Sequence, residues 1–110
     1  MQFQFSFNWE ITVTTSMASG RNVLNFPREY SRNCLSNSES TIHLLDIATG
    51  KVFKSPIITS TKNNEDKYVY SCWKKFVKEN KLKFKDRVIF NAPDGNNVLQ
   101  VQILRRSHPR

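Results

Sequence analysis

The chain opens on an alternation. Phe3, Phe5, Phe7, Trp9, Ile11 and Val13 hold the odd positions and polar residues hold the even ones, a period of two that predicts a strand with one buried face. At about 3.3 Å per residue, a run this long would span roughly 35 Å, more than a small domain covers. A break or overhang is therefore expected near Ser6 to Asn8. Residues 14–22 are polar and small, with Gly20 free to take a positive φ, and predict a loop. "VLNF", residues 23–26, reads as a short strand. "PREYSRNCL", residues 27–35, reads as a short helix, with Pro27 at the first helical position, Tyr30, Cys34 and Leu35 on one face, and "SNSES" as its end.

"TIHLLDI" and "KVFKSPIIT" are β-rich runs joined around Gly50, the pattern of a hairpin. Pro56 has no N–H for a ladder, so the second run is expected at a sheet edge or kinked there. Residues 60–66 are a polar loop and "KYVY" a short strand. In "SCWKKFVKEN" the residues Trp73, Phe76 and Val77 stand at i, i+3 and i+4, with Ser71 as N-cap and Asn80 as stop. Lys74, Lys75 and Lys78 then fall on the opposite, solvated face. "RVIFNA" and "NVLQVQIL" flank the turn signal "PDGN", and Leu99, Val101 and Ile103 alternate with Gln100 and Gln102. About seven strands and two short helices, with antiparallel hairpins between neighbours, predict a mainly β, β-rich α+β fold: a barrel or pseudobarrel with helices at its ends.

A hydrophobic fraction of 38% in 110 residues supports one core and not two. No apolar run reaches the roughly 18 residues of a membrane span, and the first residues lack the pattern of a secretory signal. The expectation is a soluble, intracellular domain. Cys34 and Cys72 lie 38 residues apart among apolar neighbours, which predicts buried, reduced thiols instead of a disulfide or metal site.

Charge changes the picture more. The chain holds 17 Lys+Arg against nine Asp+Glu, a formal charge of +8, and residues 61–90 carry nine of those bases. Such an excess favours a polyanion, nucleic acid before a membrane surface, because the basic stretch keeps no broad apolar face to insert. The chemistry for an enzyme is missing. His43 lies in a strand run and His108 in the tail, three scattered glycines form no phosphate loop, and the acid pairs Glu65/Asp66 and Asp46/Asp86 read as turn residues. No catalytic residue, metal ligand, cofactor or small-molecule substrate is expected. The aromatics Trp9, Trp73, Phe76 and Phe90 follow core spacing, not that of a base-stacking platform.

The order of these motifs resembles a known family. "TTS", Gly20 and Arg21, "NVLNFPREYSRNCL", "IHLLDIATGKVF" and "CWKKFVKENKLKFKDRVIF" together are similar to the B3 DNA-binding domain of plant transcription factors, and within it to the divergent reproductive-meristem branch. The most specific elements are Trp73, Phe76, Val77, Leu82, Asp86, Val88 and Phe90, supported by Leu44, Asp46, Gly50 and Phe53. The resemblance implies an N-terminal strand extension over residues 1–8, a seven-stranded open DNA-binding pseudobarrel with two helices over residues 9–104, and a basic tail over residues 105–110.

It also implies a nuclear transcriptional regulator that inserts two loop arms into the major groove of duplex DNA. The N-arm would be Thr15, Ser16, Met17, Ala18, Ser19, Gly20, Arg21 and Asn22; the C-arm would be Thr61, Lys62, Asn63, Asn64 and Lys67. Arg21, Asn22, Asn63 and Asn64 carry the paired donor or donor–acceptor edges that read guanine and adenine. Ser16, Ser19, Lys62 and Lys67 suit phosphates. Asp86 would be structural, with Lys85 standing where the family usually has glycine. The alternative is a protein-interaction or dimerisation module with only non-specific DNA affinity, forming a homo- or hetero-oligomer through the N-terminal strand row Phe3, Phe5 and Phe7. A restriction-type nuclease is the least favoured reading, for want of a metal-ligand cluster.

Overall fold

Among the described residues, the N-terminal alternation is a strand from Phe7. The computed structural model describes residues 6–35, 41–62, 66–93 and 97–106; Phe3 and Phe5 lie outside them, as do Asp94 to Asn96 of the expected turn. In chain order the elements are β1 (Phe7–Thr12), α1 (Thr15–Ala18), β2 (Leu24–Asn25), α2 (Arg28–Cys34), β3 (Thr41–Asp46), β4 (Val52–Pro56), β5 (Ile58–Thr59), β6 (Lys67–Val69), α3 (Ser71–Glu79), β7 (Arg87–Ala92) and β8 (Val98–Leu104). The strands form a five-stranded sheet, ordered β1-β7-β8-β3-β4, and a three-stranded sheet, ordered β2-β6-β5.

This is the expected strand-rich pseudobarrel, open and split between two sheets. Three details depart from the sequence reading. The described residues contain eight strands and not seven, because "KVFKSPIIT" is divided at Pro56. Proline cannot donate to a ladder, so β4 ends there, at the open edge of the large sheet, and the chain resumes as β5 in the small one. A third helix, the single turn α1, lies inside the expected loop. The pairing of β3 with β8 is parallel, with Leu44 opposite Leu99, whereas hairpin logic between chain neighbours gives antiparallel partners only.

The core lies between the sheets and the helices. Trp73, Phe76 and Val77 face inward from α3 and its lysines face out, as the spacing predicts. Ser71 is the first helical residue and not the cap; Tyr70 precedes it without a capping bond, and Asn80 closes the helix with its side-chain amide donating to the Phe76 carbonyl at 3.1 Å. Pro27 likewise sits just outside α2. Trp9 stacks on Phe90 at 4.8 Å between ring centroids and meets Tyr30 at 5.2 Å. Phe7 spends its ring on Trp9 and Tyr30, at 5.8 and 5.9 Å. Cys34 and Cys72 are buried free thiols, and that burial raises both pKa values.

The turn from α3 to β7 is tight enough to hold Lys85 at φ +74°. In that left-handed region a Cβ crowds the following carbonyl, at a cost of about 1–2 kcal/mol that glycine avoids. Lys85→Gly is expected to raise the unfolding free energy by about 0.5–1 kcal/mol after the larger unfolded-state entropy of glycine and the lost, exposed contact with the Phe84 ring are set against it. Urea unfolding checks this, and a lower midpoint for the variant would refute it.

Candidate nucleic-acid interface

The N-arm is built on one helical turn. Thr14 caps α1, its Oγ1 accepting from the Met17 N–H at 3.2 Å. At the other end the Gly20 N–H donates to the Met17 carbonyl at 3.0 Å and the Arg21 N–H to the Ser16 carbonyl at 3.1 Å. This paired closure needs a left-handed residue at its bend, and Gly20 supplies it at φ +77°. Met17 and Ala18 are half-buried and pack against the core, so they anchor the arm. Thr15, Ser16, Ser19, Arg21 and Asn22 are exposed. The Ser19 hydroxyl donates to the Ser16 carbonyl at 2.8 Å.

The C-arm joins β5 to β6. Lys62 is exposed, and its N–H donates to the Ser60 hydroxyl at 3.1 Å, a local turn. Asn63 and Asn64 lie outside the described residues. Lys67 is buried, and its ammonium donates to the Thr59 hydroxyl at 3.0 Å. It therefore bridges two strands from the inward face of β6, beside Val69, instead of standing in solvent with Lys62. At the loop's end, Asp66 accepts from the Arg28 guanidinium at 2.9 Å, tying the arm to the start of α2.

The small sheet sets the distance between the arms. Leu24 pairs with Val69, so the N-arm enters at one end of β6; Thr59 pairs with Lys67, so the C-arm leaves from the other. The two ends are two residue steps apart, about 7 Å, so both arms start within the width of one major groove, about 12 Å. Tyr70, just past the N-arm end, is exposed, with Lys74 Nζ 3.4 Å from its hydroxyl and 5.5 Å from its ring centre. The sequence reading overlooked this pair; their i, i+4 spacing was the available signal.

Asp86 fixes the opposite end of α3. Its buried carboxylate accepts from the Lys83 N–H at 2.9 Å, the Arg106 N–H at 2.9 Å and the Arg105 guanidinium at 3.1 Å. Arg105 also donates to the carbonyls of Asn80 and Lys81. The structural role implied for Asp86 is thus carried by three donors. Among the described residues, no cluster of three or more His, Cys, Asp or Glu is placed to hold a metal, and no helix is long and apolar enough to cross a membrane.

Comparison with known proteins bears on both fold and role. No curated protein matches the chain. The solved structure of a hypothetical Arabidopsis thaliana protein is similar with a TM-score of 0.77 at 18% sequence identity, covering 99% of this chain and 100% of that one; at so low an identity, the likeness establishes the fold. A family model described as the B3 DNA binding domain matches residues 9–107. With that match running over both arms and all three helices, the chain belongs to the B3 DNA binding domain family, whose role is to bind DNA and not to catalyse.

Proposed function

We propose that the chain is the duplex-DNA-binding domain of a nuclear plant transcriptional regulator, and that its two arms straddle the major groove. The observation that carries this reading is the position of the arms at opposite ends of one short strand, with Arg21 and Asn22 exposed directly beyond a turn that Gly20 closes. A capped, anchored turn holds its outer side chains in place before DNA arrives, which lowers the ordering cost of binding. Arg21 and Asn22 read base edges from the N-arm, and Asn63 and Asn64 from the C-arm. Ser16, Ser19 and Lys62 contact phosphates. Lys67, committed to Thr59, supports the C-arm from within.

The test is selection from a randomised duplex pool at two salt concentrations, followed by Arg21→Ala on the retained sequence. Loss of a bidentate base contact is expected to weaken specific binding by about 1–3 kcal/mol and to relax preference at one position. Unchanged affinity and preference would remove Arg21 as a base reader.

A further inference from the structure

The outer lysines of α3 lie beside the N-arm. α1 packs on α3, and the two helices enclose a shallow groove lined by Ala18, Ser19, Gly20, Lys74, Val77 and Lys78. A Cβ at Gly20 would stand 3.8 Å from Lys74 Cγ, so the lysine stem lies directly against the bend that precedes Arg21. Apolar Ala18 and Val77 form part of the lining, and two ammonium groups and a hydroxyl stand on it.

Among the described residues, the charge of this groove is uncompensated. Lys75 and Glu79 stand at i, i+4, a spacing that commonly pairs them, yet the Glu79 carboxylate is engaged by Lys51. Among the described residues no carboxylate pairs with Lys74, Lys75 or Lys78, whereas Arg28, Lys51, Arg87 and Arg105 each have one. Lys74 is aligned by the Tyr70 hydroxyl and ring. Lys74 and Lys78 are about 6 Å apart along the helix, enough for each ammonium to meet a different phosphate of one DNA strand, whose charges follow one another at about 3.4 Å of axial rise.

We propose that this groove is a second docking surface for DNA, taking about two consecutive backbone phosphates that flank the stretch covered by the arms. The proposal rests on the arms seating on duplex DNA, and it gives the α3 lysines a fixed contact instead of a share in a diffuse field. Phosphate contacts set register and add affinity without reading sequence.

The experiment compares Lys74→Gln/Lys78→Gln with Lys54→Gln/Lys83→Gln, which removes the same charge from exposed sites outside the groove lining. Binding to the selected duplex and to a scrambled one is measured from about 50 to 200 mM salt. At about 0.9 per phosphate, the groove variant is expected to flatten the salt slope by nearly two on both duplexes, so that its loss over that range is about tenfold smaller. The control variant is expected to change the slope by less than half as much. Equal changes in the two variants, or none in the first, would overturn the proposal. Arg21→Ala reports separately: a flattened slope for the groove variant beside an inert Arg21→Ala would keep the groove and remove the base reader. Wild-type protein that binds neither duplex would refute both.

Discussion

Trp73→Ala is expected to destabilise the domain by about 3–5 kcal/mol, the largest effect of any single substitution considered. Trp73 is fully buried, stacks on Phe76 at 5.7 Å and meets Phe90 at 5.9 Å. It joins α3 to the large sheet, and its removal leaves a cavity that Phe76 and Phe90 cannot both close. A domain of this size has about 5–15 kcal/mol in total, so the variant would lie near its unfolding threshold. DNA binding should fall with the folded fraction, because α3 also supports the N-arm through Gly20 and Lys74. Trp73→Phe is expected to cost less than half as much. It keeps most of the ring and removes an indole N–H that has no partner among the described residues. Urea unfolding of both variants, followed by Trp9 fluorescence, measures the two costs. A loss below about 1 kcal/mol for Trp73→Ala would mean that the core is organised around another residue.

What the sequence disclosed depended on how local the cause was. Trp73, Phe76 and Val77 were legible because helical spacing is written within the nine residues of α3 as a choice between apolar and charged side chains. Pro56 was legible because a missing N–H has the same consequence in any sheet. The β3–β8 pairing was not, since Leu44 and Leu99 stand 55 residues apart in the chain with β4 to β7 between them. Lys67 shows a different failure. Its charge suggested solvent, but in an alternating strand it shares a face with fully buried Val69, and the register sets it opposite Thr59. The alternation was the better signal. The arms themselves came from family resemblance, because Ser16, Arg21 and Asn22 have no periodicity by which physics alone would single them out. α1 is too short for its spacing to register, and the capture of Glu79 by Lys51 joins elements that only the fold brings together.

Asp86→Asn is expected to cost about 3 kcal/mol near neutral pH, and the cost should shrink in acid. Burial alone would raise the pKa of this carboxyl, but the hydrogen bonds from the Arg106 and Lys83 N–H groups and from Arg105, together with the Arg105 charge, outweigh it and hold the pKa below its ordinary value. A carboxylate depressed in the folded state binds its proton more readily when unfolded. Its stabilising contribution is therefore complete above the unfolded pKa and is lost as pH falls through the folded one. Asparagine keeps the shape, offers one acceptor where Asp86 has two, and turns an NH2 group toward donors. The variant should consequently differ most from the wild type near neutral pH and approach it only as the pH falls through the depressed folded pKa, which urea midpoints measured from neutral into acid would record. A difference independent of pH would assign the cost to packing instead of to the charge. The location of the clasp links this result to binding. Arg105 also holds the carbonyls at the C-terminal end of α3, while Lys74 and Gly20 meet near its start. Loosening one end of a nine-residue helix frees the other to shift, so Asp86→Asn should weaken DNA binding at neutral pH without altering which sequence is preferred.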